Sequence, residues 1–113
     1  MFIQHNTLID YIPEDKKVLF TPDVDFDSSH LDLYIKIEGE EPMCIKTYHI
    51  TKQDTENEEI IEEVLMIMIC ERLAKNSQVL ILPTYEELSA RAKRYHYDEL
   101  GNIVEERLEL IWK

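Results

Sequence analysis

Glycine is scarce in this chain, with only Gly39 and Gly101 in 113 residues. The phosphate-binding loops of P-loop and dinucleotide-binding proteins need several glycines in one strand-to-helix turn, because their backbone must approach the phosphates closely. Neither glycine lies in such a turn, so the sequence excludes these nucleotide-dependent enzymes and predicts no cofactor. The patterns HExxH and GxSxG are absent as well. We therefore expect a non-catalytic protein.

Cysteines and long apolar runs are also rare. Cys44 and Cys70 are the only cysteines, and no CxxC pair or cysteine–histidine cluster accompanies them. Since each falls inside a predicted strand or helix, we expect two buried free thiols and no metal site. No apolar run approaches the roughly 20 residues that a membrane span needs. Without a basic-then-apolar leader, the chain is expected to act in the cytoplasm, away from membranes.

Positive charge is scarce too, because 12 lysines and arginines face 24 aspartates and glutamates, for a formal net charge of −12. Residues 21–63, here called the acidic section, hold thirteen acids against three lysines, a difference of −10. Such a surface repels phosphate backbones and attracts basic protein surfaces. The sequence therefore predicts a basic protein partner and no direct nucleic-acid binding. Simple solubility would also account for the charge.

The clearest helical pattern runs from Thr55 to Lys75. Thr55 and Glu58 have the form of a capping box, and Arg72 and Lys75 suit the negative end of the helix dipole. The apolar spacing predicts a buried face formed by Ile61, Val64, Leu65, Met68 and Leu73. The opposite face continues as Met66 and Cys70. We therefore expect either the same chain or a second subunit to cover both sides.

Strand patterns precede and follow this helix. His30–Glu38 alternates apolar and polar residues, and with the turn at residues 39–42 and the strand Met43–Ile50 it predicts a hairpin. Lys17–Phe20 is a further predicted strand, and Gln78–Leu82 is predicted as an inner strand buried on both faces. Residues 1–12 fit a strand or a helix equally, with Leu8, Ile9, Tyr11 and Ile12 in the core either way.

A second helix is predicted from Tyr85 to Arg94, because Thr84 and Glu87 form another capping box. The final segment, residues 103–112, permits strand or helix, and its alternation favours strand. These elements predict one α+β domain over residues 1–113. In it a small antiparallel sheet packs against one long central helix, with a shorter second helix beside them.

Asp23, Asp25 and Asp27 have the alternate spacing that opens a calcium loop. The pattern then fails, because the position that needs glycine is Ser28 and the position that needs glutamate is Tyr34. We therefore predict that residues 22–29 form a solvated acidic loop. A metal-dependent enzyme built on the three aspartates is the least favoured class.

The favoured function is an acidic, non-catalytic protein that covers a basic site on a partner such as a nuclease or toxin. An inhibitor, an immunity or anti-defence protein, or a phage-type mimic of nucleic-acid charge would each act in this way. The expected contact residues are Asp23, Asp25, Asp27, Asp32, Glu38, Glu40, Glu41, Glu56 and Glu59. The alternative is a structural or assembly module that forms a homodimer or larger homo-oligomer through Met66 and Cys70 on the central helix.

Overall fold

A computed structural model describes residues 1–5 and 8–105. In chain order its elements are β1 (Phe2–His5), β2 (Leu8–Tyr11), β3 (Val18–Asp25), β4 (His30–Ile37), β5 (Met43–His49), α1 (Lys52–Glu56), α2 (Glu58–Lys75), β6 (Val79–Ile81), α3 (Tyr85–Ala92), β7 (Tyr95–Tyr97) and β8 (Ile103–Glu105). The described strands form sheets in the orders β2–β1–β6, β3–β4–β5 and β7–β8. A small antiparallel sheet with one long helix and shorter helices confirms the predicted α+β class.

The antiparallel β3–β4–β5 sheet, here called the main sheet, contains the predicted hairpin as β4 and β5. The alternation of β4 arises because one face is core: its four apolar side chains are buried, namely Leu31, Leu33, Ile35 and Ile37. The pairing shifts by one residue between Leu33 and Tyr34: Leu33 pairs with Lys46 and Tyr34 pairs with Cys44, so Ile45 is the extra residue. This bulge places the Ile45 side chain in the core.

Strand β3 is longer than predicted, because residues 22–25 continue the strand instead of forming a loop. The amide of Glu38 donates to the Lys17 carbonyl at 2.9 Å, which sets the register. In that register the backbone nitrogen of Pro22 points away from β4, toward the open edge of the sheet. A proline is tolerated there because it removes no hydrogen bond from the ladder. The prediction of a loop over residues 22–29 was therefore wrong for residues 22–25, while residues 26–29 form a turn.

Residues 2–5 and 8–11 form strands: β1 pairs with β2 in antiparallel orientation and with β6 in parallel orientation. Ile12 is buried as predicted, whereas Tyr11 is 59% exposed and was wrongly assigned to the core. The structure describes the backbone of Leu8 and Ile9 but not their side chains, so their predicted burial lies outside what it describes. Within that part β6 pairs with β1 alone, and Ile81 is 54% exposed. The prediction of an inner strand was therefore wrong.

The central helix starts differently from the prediction. Thr51 and Asp54 form the capping box of the short helix α1. Asn57 then interrupts the helical conformation, and α2 begins at Glu58. Thr55 is buried, and its hydroxyl donates to the Lys52 carbonyl at 2.6 Å, so it caps nothing. The predicted capping box of Thr55 and Glu58 was wrong, because Thr51 and Asp54 form a capping box four residues earlier. The predicted end at Lys75 is confirmed.

The buried face of α2 contains the predicted Ile61, Val64, Leu65 and Met68. Leu73 is only partly buried, and Ile69, four residues after Leu65, completes the buried stripe in its place. The helix packs against β3, β6 and α3. Cys70 and Cys44 are free but exposed, so the predicted burial of both thiols was wrong: each side chain points from its element toward solvent.

Helix α3 has the predicted capping box of Thr84 and Glu87, and it ends at Ala92. The β7–β8 hairpin follows, and Gly101 in its turn adopts φ +85°, a conformation that favours glycine. Residues 103–105 are a strand, as the alternation indicated, while the rest of the predicted terminal strand lies outside the described residues. None of the helices formed by the described residues is long and apolar enough to cross a membrane.

Candidate functional site

The outward face of the main sheet, here called the open face, collects polar side chains from three strands. Residues directly opposite one another share a face, so the register builds rows across the sheet. The row nearest the β3–β4 turn is Asp25, His30 and His49, and the next is Asp23, Asp32 and Thr47. The other face of β4 is buried, so these rows face solvent.

Two carboxylates face each other within the second row. Asp23 lies opposite Asp32 on the neighbouring strand, an arrangement in which like charges are unfavourable. The Thr47 hydroxyl donates to Asp32 Oδ1 at 2.7 Å. The negative charge of Asp32 raises the pKa of the adjacent Tyr34 phenol, and smaller contributions come from burial, Cys44 and Asp23. The open face therefore has a negative potential around these two aspartates.

Next to this row lies a groove of about 430 Å³ whose walls include Leu19, Tyr34 and Pro42. Asp23 and Lys36 also line the groove, and Leu19 is largely exposed in it. An apolar wall beside a carboxylate suits the side chains of lysine and arginine, which have apolar stems and charged ends. The groove could thus hold the stem of a basic side chain whose charge contacts Asp23.

Asp25 stabilises the turn that joins β3 to β4. Its Oδ1 accepts hydrogen bonds from the amides of Asp27 at 3.0 Å and Ser28 at 3.4 Å. Hydrogen bonding from the Ser28 side chain and then from these amides lowers the pKa of Asp25. The predicted acidic loop is therefore a tight turn after a strand, with Asp27 exposed. The part of the chain that the structure describes contains no group of three or more metal-ligating side chains.

The start of α2 lies against the edge of β3 beside these aspartates. Glu62 Oε1 accepts a hydrogen bond from the amide of Val24 at 3.0 Å. Burial raises the pKa of the Glu62 carboxyl, although the hydrogen bond from Val24 opposes this change. The nearby charges of Glu58, Asp23 and Glu59 raise the pKa further. Carboxylates of the helix and of the sheet are thus close enough to interact.

We call the resulting group the acidic end of the molecule. It consists of Asp23, Asp25, Asp32, Glu58, Glu59 and Glu62. The Tyr97 hydroxyl from β7 donates to Glu59 Oε2 at 2.9 Å and thereby adds a hydrogen-bonding group at its rim. Glu58 and Glu62 were absent from the predicted contact residues, although their spacing of four places both on one face of the helix.

The other predicted contact residues do not all join this group. Glu38, Glu40 and Glu41 are exposed in the turn after β4, here called the far turn. At about 3.3 Å per residue, the eight residues of β4 separate that turn from the β3–β4 turn by roughly 25 Å. Glu56 is exposed in the last turn of α1. The acids of the single predicted contact surface therefore form two separate groups. Strand β4 joins the two turns and holds the acids of the far turn apart from those of the acidic end.

Four ion pairs between described residues lie outside the acidic section. Arg72 pairs with Glu87, Arg91 with Glu71 and Glu105, and Arg94 with Glu105. Among these described pairs, none includes any of the thirteen acids of residues 21–63. Arg72, Arg91 and Arg94 are thus paired within the molecule with glutamates that do not belong to the acidic section.

Replacing Glu62 by glutamine tests this clustering. Glutamine keeps an acceptor for the Val24 amide but removes the repelling charge, so at pH 7 Glu62→Gln should raise the free energy of unfolding by about 0.5 kcal/mol after solvent screening is allowed for. Because the pKa of Glu62 is raised in the folded protein, the gain should disappear below about pH 4, where the wild-type carboxyl is protonated.

Glu62→Ala is the matched control in urea unfolding, because it removes the charge and the acceptor together. It should lower the free energy of unfolding by about 1 kcal/mol. A loss of stability in Glu62→Gln at pH 7 would contradict the clustering of carboxylates.

Comparison with known proteins found no match among family models, curated proteins or solved structures.

Proposed function

We propose that the protein is a non-catalytic binding protein whose acidic end covers a basic site on a partner protein. The observation that carries this proposal is the segregation of charge: the acidic section holds thirteen carboxylates against three lysines, while Arg72, Arg91 and Arg94 pair with glutamates outside it. A basic partner would compensate the repulsion between Asp23, Asp32 and the glutamates of α2.

Physical considerations favour a protein partner over nucleic acid. Concentrated negative charge accelerates the association of basic proteins and repels phosphate backbones. The groove at Leu19 and Tyr34 adds an apolar wall next to Asp23, and apolar contact contributes affinity that charge alone does not provide. A nuclease or toxin with a basic active-site cleft is the kind of partner that this surface fits, and the protein would then act as its inhibitor.

Affinity capture with two charge-matched variants tests the proposal. The acidic-end variant carries Asp23→Asn, Glu58→Gln and Glu59→Gln. The far-turn variant carries Glu38→Gln, Glu40→Gln and Glu41→Gln, which removes the same charge from the other end of the main sheet. We expect the wild type and the far-turn variant to retain one basic protein from host extract at low salt, and the acidic-end variant to lose most of it.

Equal retention by all three proteins would contradict the proposal, as would loss in the far-turn variant alone. Circular dichroism should show that the variants keep the wild-type spectrum, since the altered side chains lie at the surface.

A second candidate is an assembly module that self-associates through α2. The observation that favours it is the outward side of the helix, where Cys70 is exposed and Met66 and Ile67 are only partly buried. Sedimentation velocity separates the two candidates. A homo-oligomer that Ile67→Glu dissociates would support assembly, whereas a monomer at all concentrations would support the binding protein.

A further inference from the structure

We propose that His30 and His49 form a surface site for a divalent transition-metal ion of the class that imidazole prefers, such as Zn²⁺ or Ni²⁺. The two residues lie opposite each other on β4 and β5. Their ring centroids are 4.6 Å apart, and the ring planes are inclined at 77°. The site adjoins the acidic end but requires no second protein, so it is tested separately from the proposed function.

The backbone brings the two imidazoles together without strain. The amide of Ile50 donates to the Ser29 carbonyl at 3.0 Å, so the adjacent pair of His30 and His49 is a non-hydrogen-bonded pair. In such pairs the Cα atoms are about 4.5 Å apart and the side chains are closest. Rotation about side-chain bonds alone can then direct one nitrogen of each ring at a common ion, while the strands keep their positions.

The electrostatic surroundings favour a cation at this pair. Asp25 lies directly opposite His30 on the third strand of the same row. Its Oδ1 is held by the turn amides, so its charge remains fixed beside the imidazoles. The positive charge of a bound ion would also reduce the repulsion among the neighbouring carboxylates of the acidic section.

The ligand set determines the type of ion. Neutral imidazole is a preferred ligand of zinc, copper and nickel, whereas calcium and magnesium prefer oxygen. Among the described residues, no third histidine, cysteine or carboxylate side chain lies close enough to form a three-ligand site with the two histidines. An ion bound by two histidines therefore keeps water in its other positions. The sequence did not reveal this pair, because only the strand register shows that the first residue of β4 meets the last residue of β5.

Calorimetric titration of the whole chain with NiCl₂ and with ZnCl₂ at pH 7.5 tests the site. We expect one ion per chain, and at least tenfold weaker binding in His30→Gln and in His49→Gln. His96→Gln is the matched control, because His96 is an exposed histidine on β7, in a different sheet. It should bind the ion as the wild type does.

A second measurement needs no variant. Substoichiometric Ni²⁺ should broaden the NMR signals of the His30 and His49 rings before those of His96. The proposal fails if the wild type binds no stoichiometric ion, if His96→Gln weakens binding as much as the other two changes, or if the His96 signals broaden first.

Discussion

Replacing Leu65 by alanine should lower the free energy of unfolding by about 2–5 kcal/mol, the largest effect that we expect from one substitution. Leu65 is 0% exposed in the middle of α2, the helix that contacts β3, β6 and α3. Removal of its side chain loses the transfer free energy and leaves a cavity that rigid neighbours cannot fill. Urea unfolding monitored by circular dichroism measures the change.

Leu100→Ala is the matched control for Leu65→Ala. Leu100 is 87% exposed in the turn between β7 and β8, so the same chemical change should cost less than about 0.5 kcal/mol there. If the two variants lost equal stability, or if Leu65→Ala cost less than Leu100→Ala, α2 would not be the centre of the core.

Replacing Tyr48 by phenylalanine should lower the free energy of unfolding by about 1–3 kcal/mol at neutral pH, because the buried Pro83 carbonyl would lose its hydrogen-bond donor. Tyr48 is 3% exposed, and its hydroxyl donates to that carbonyl at 2.7 Å. The bond joins β5 of the main sheet to the segment between β6 and α3. Tyr34→Phe is the control, since Tyr34 lies on the open face, and it should change the free energy by less than about 0.5 kcal/mol.

The same tyrosine makes stability depend on alkaline pH. Burial raises the pKa of Tyr48, whereas the positive charge of Arg72 opposes this change. Above about pH 10 the unfolded chain therefore releases the Tyr48 proton while the folded chain retains it, and stability falls as pH rises. Tyr48→Phe should lose less stability between pH 9 and pH 11 than the wild type, as measured by urea unfolding. An equal loss would show that Tyr48 is not buried as described.

The sequence predicted the elements whose environment is uniform along their length. Strand β4 has one buried face, so its alternation was plain, and α2 buries one stripe, so four of its five predicted core residues are confirmed. Predictions failed where one signal allows two structures. Pro22 marks a turn in most contexts but also fits an outward position on an edge strand. Thr55 had the spacing of a cap, yet Thr51 forms it.

The candidate site was only partly predictable, for a related reason. Individual carboxylates could be named, but their grouping depends on contacts between residues distant in sequence. The register that places Asp23 opposite Asp32 and the bond from Val24 to Glu62 are two such contacts. No local pattern encodes these pairings, and they decide which acids lie together and which lie in the far turn.

The association rate of the captured partner, measured by stopped flow across a range of salt concentrations, tests the central claim most directly. Electrostatic steering changes association rates by about 10–10³-fold and weakens with ionic strength. The acidic-end variant should associate about tenfold more slowly than the wild type at low salt and depend less on salt. At about 0.15 M salt the Debye length of about 8 Å is shorter than the separation of the two acidic groups, so the far-turn variant, with the same net charge, should stay within about twofold of the wild type there. Equal rates and equal salt dependence in all three proteins would contradict the claim that the acidic end binds the partner.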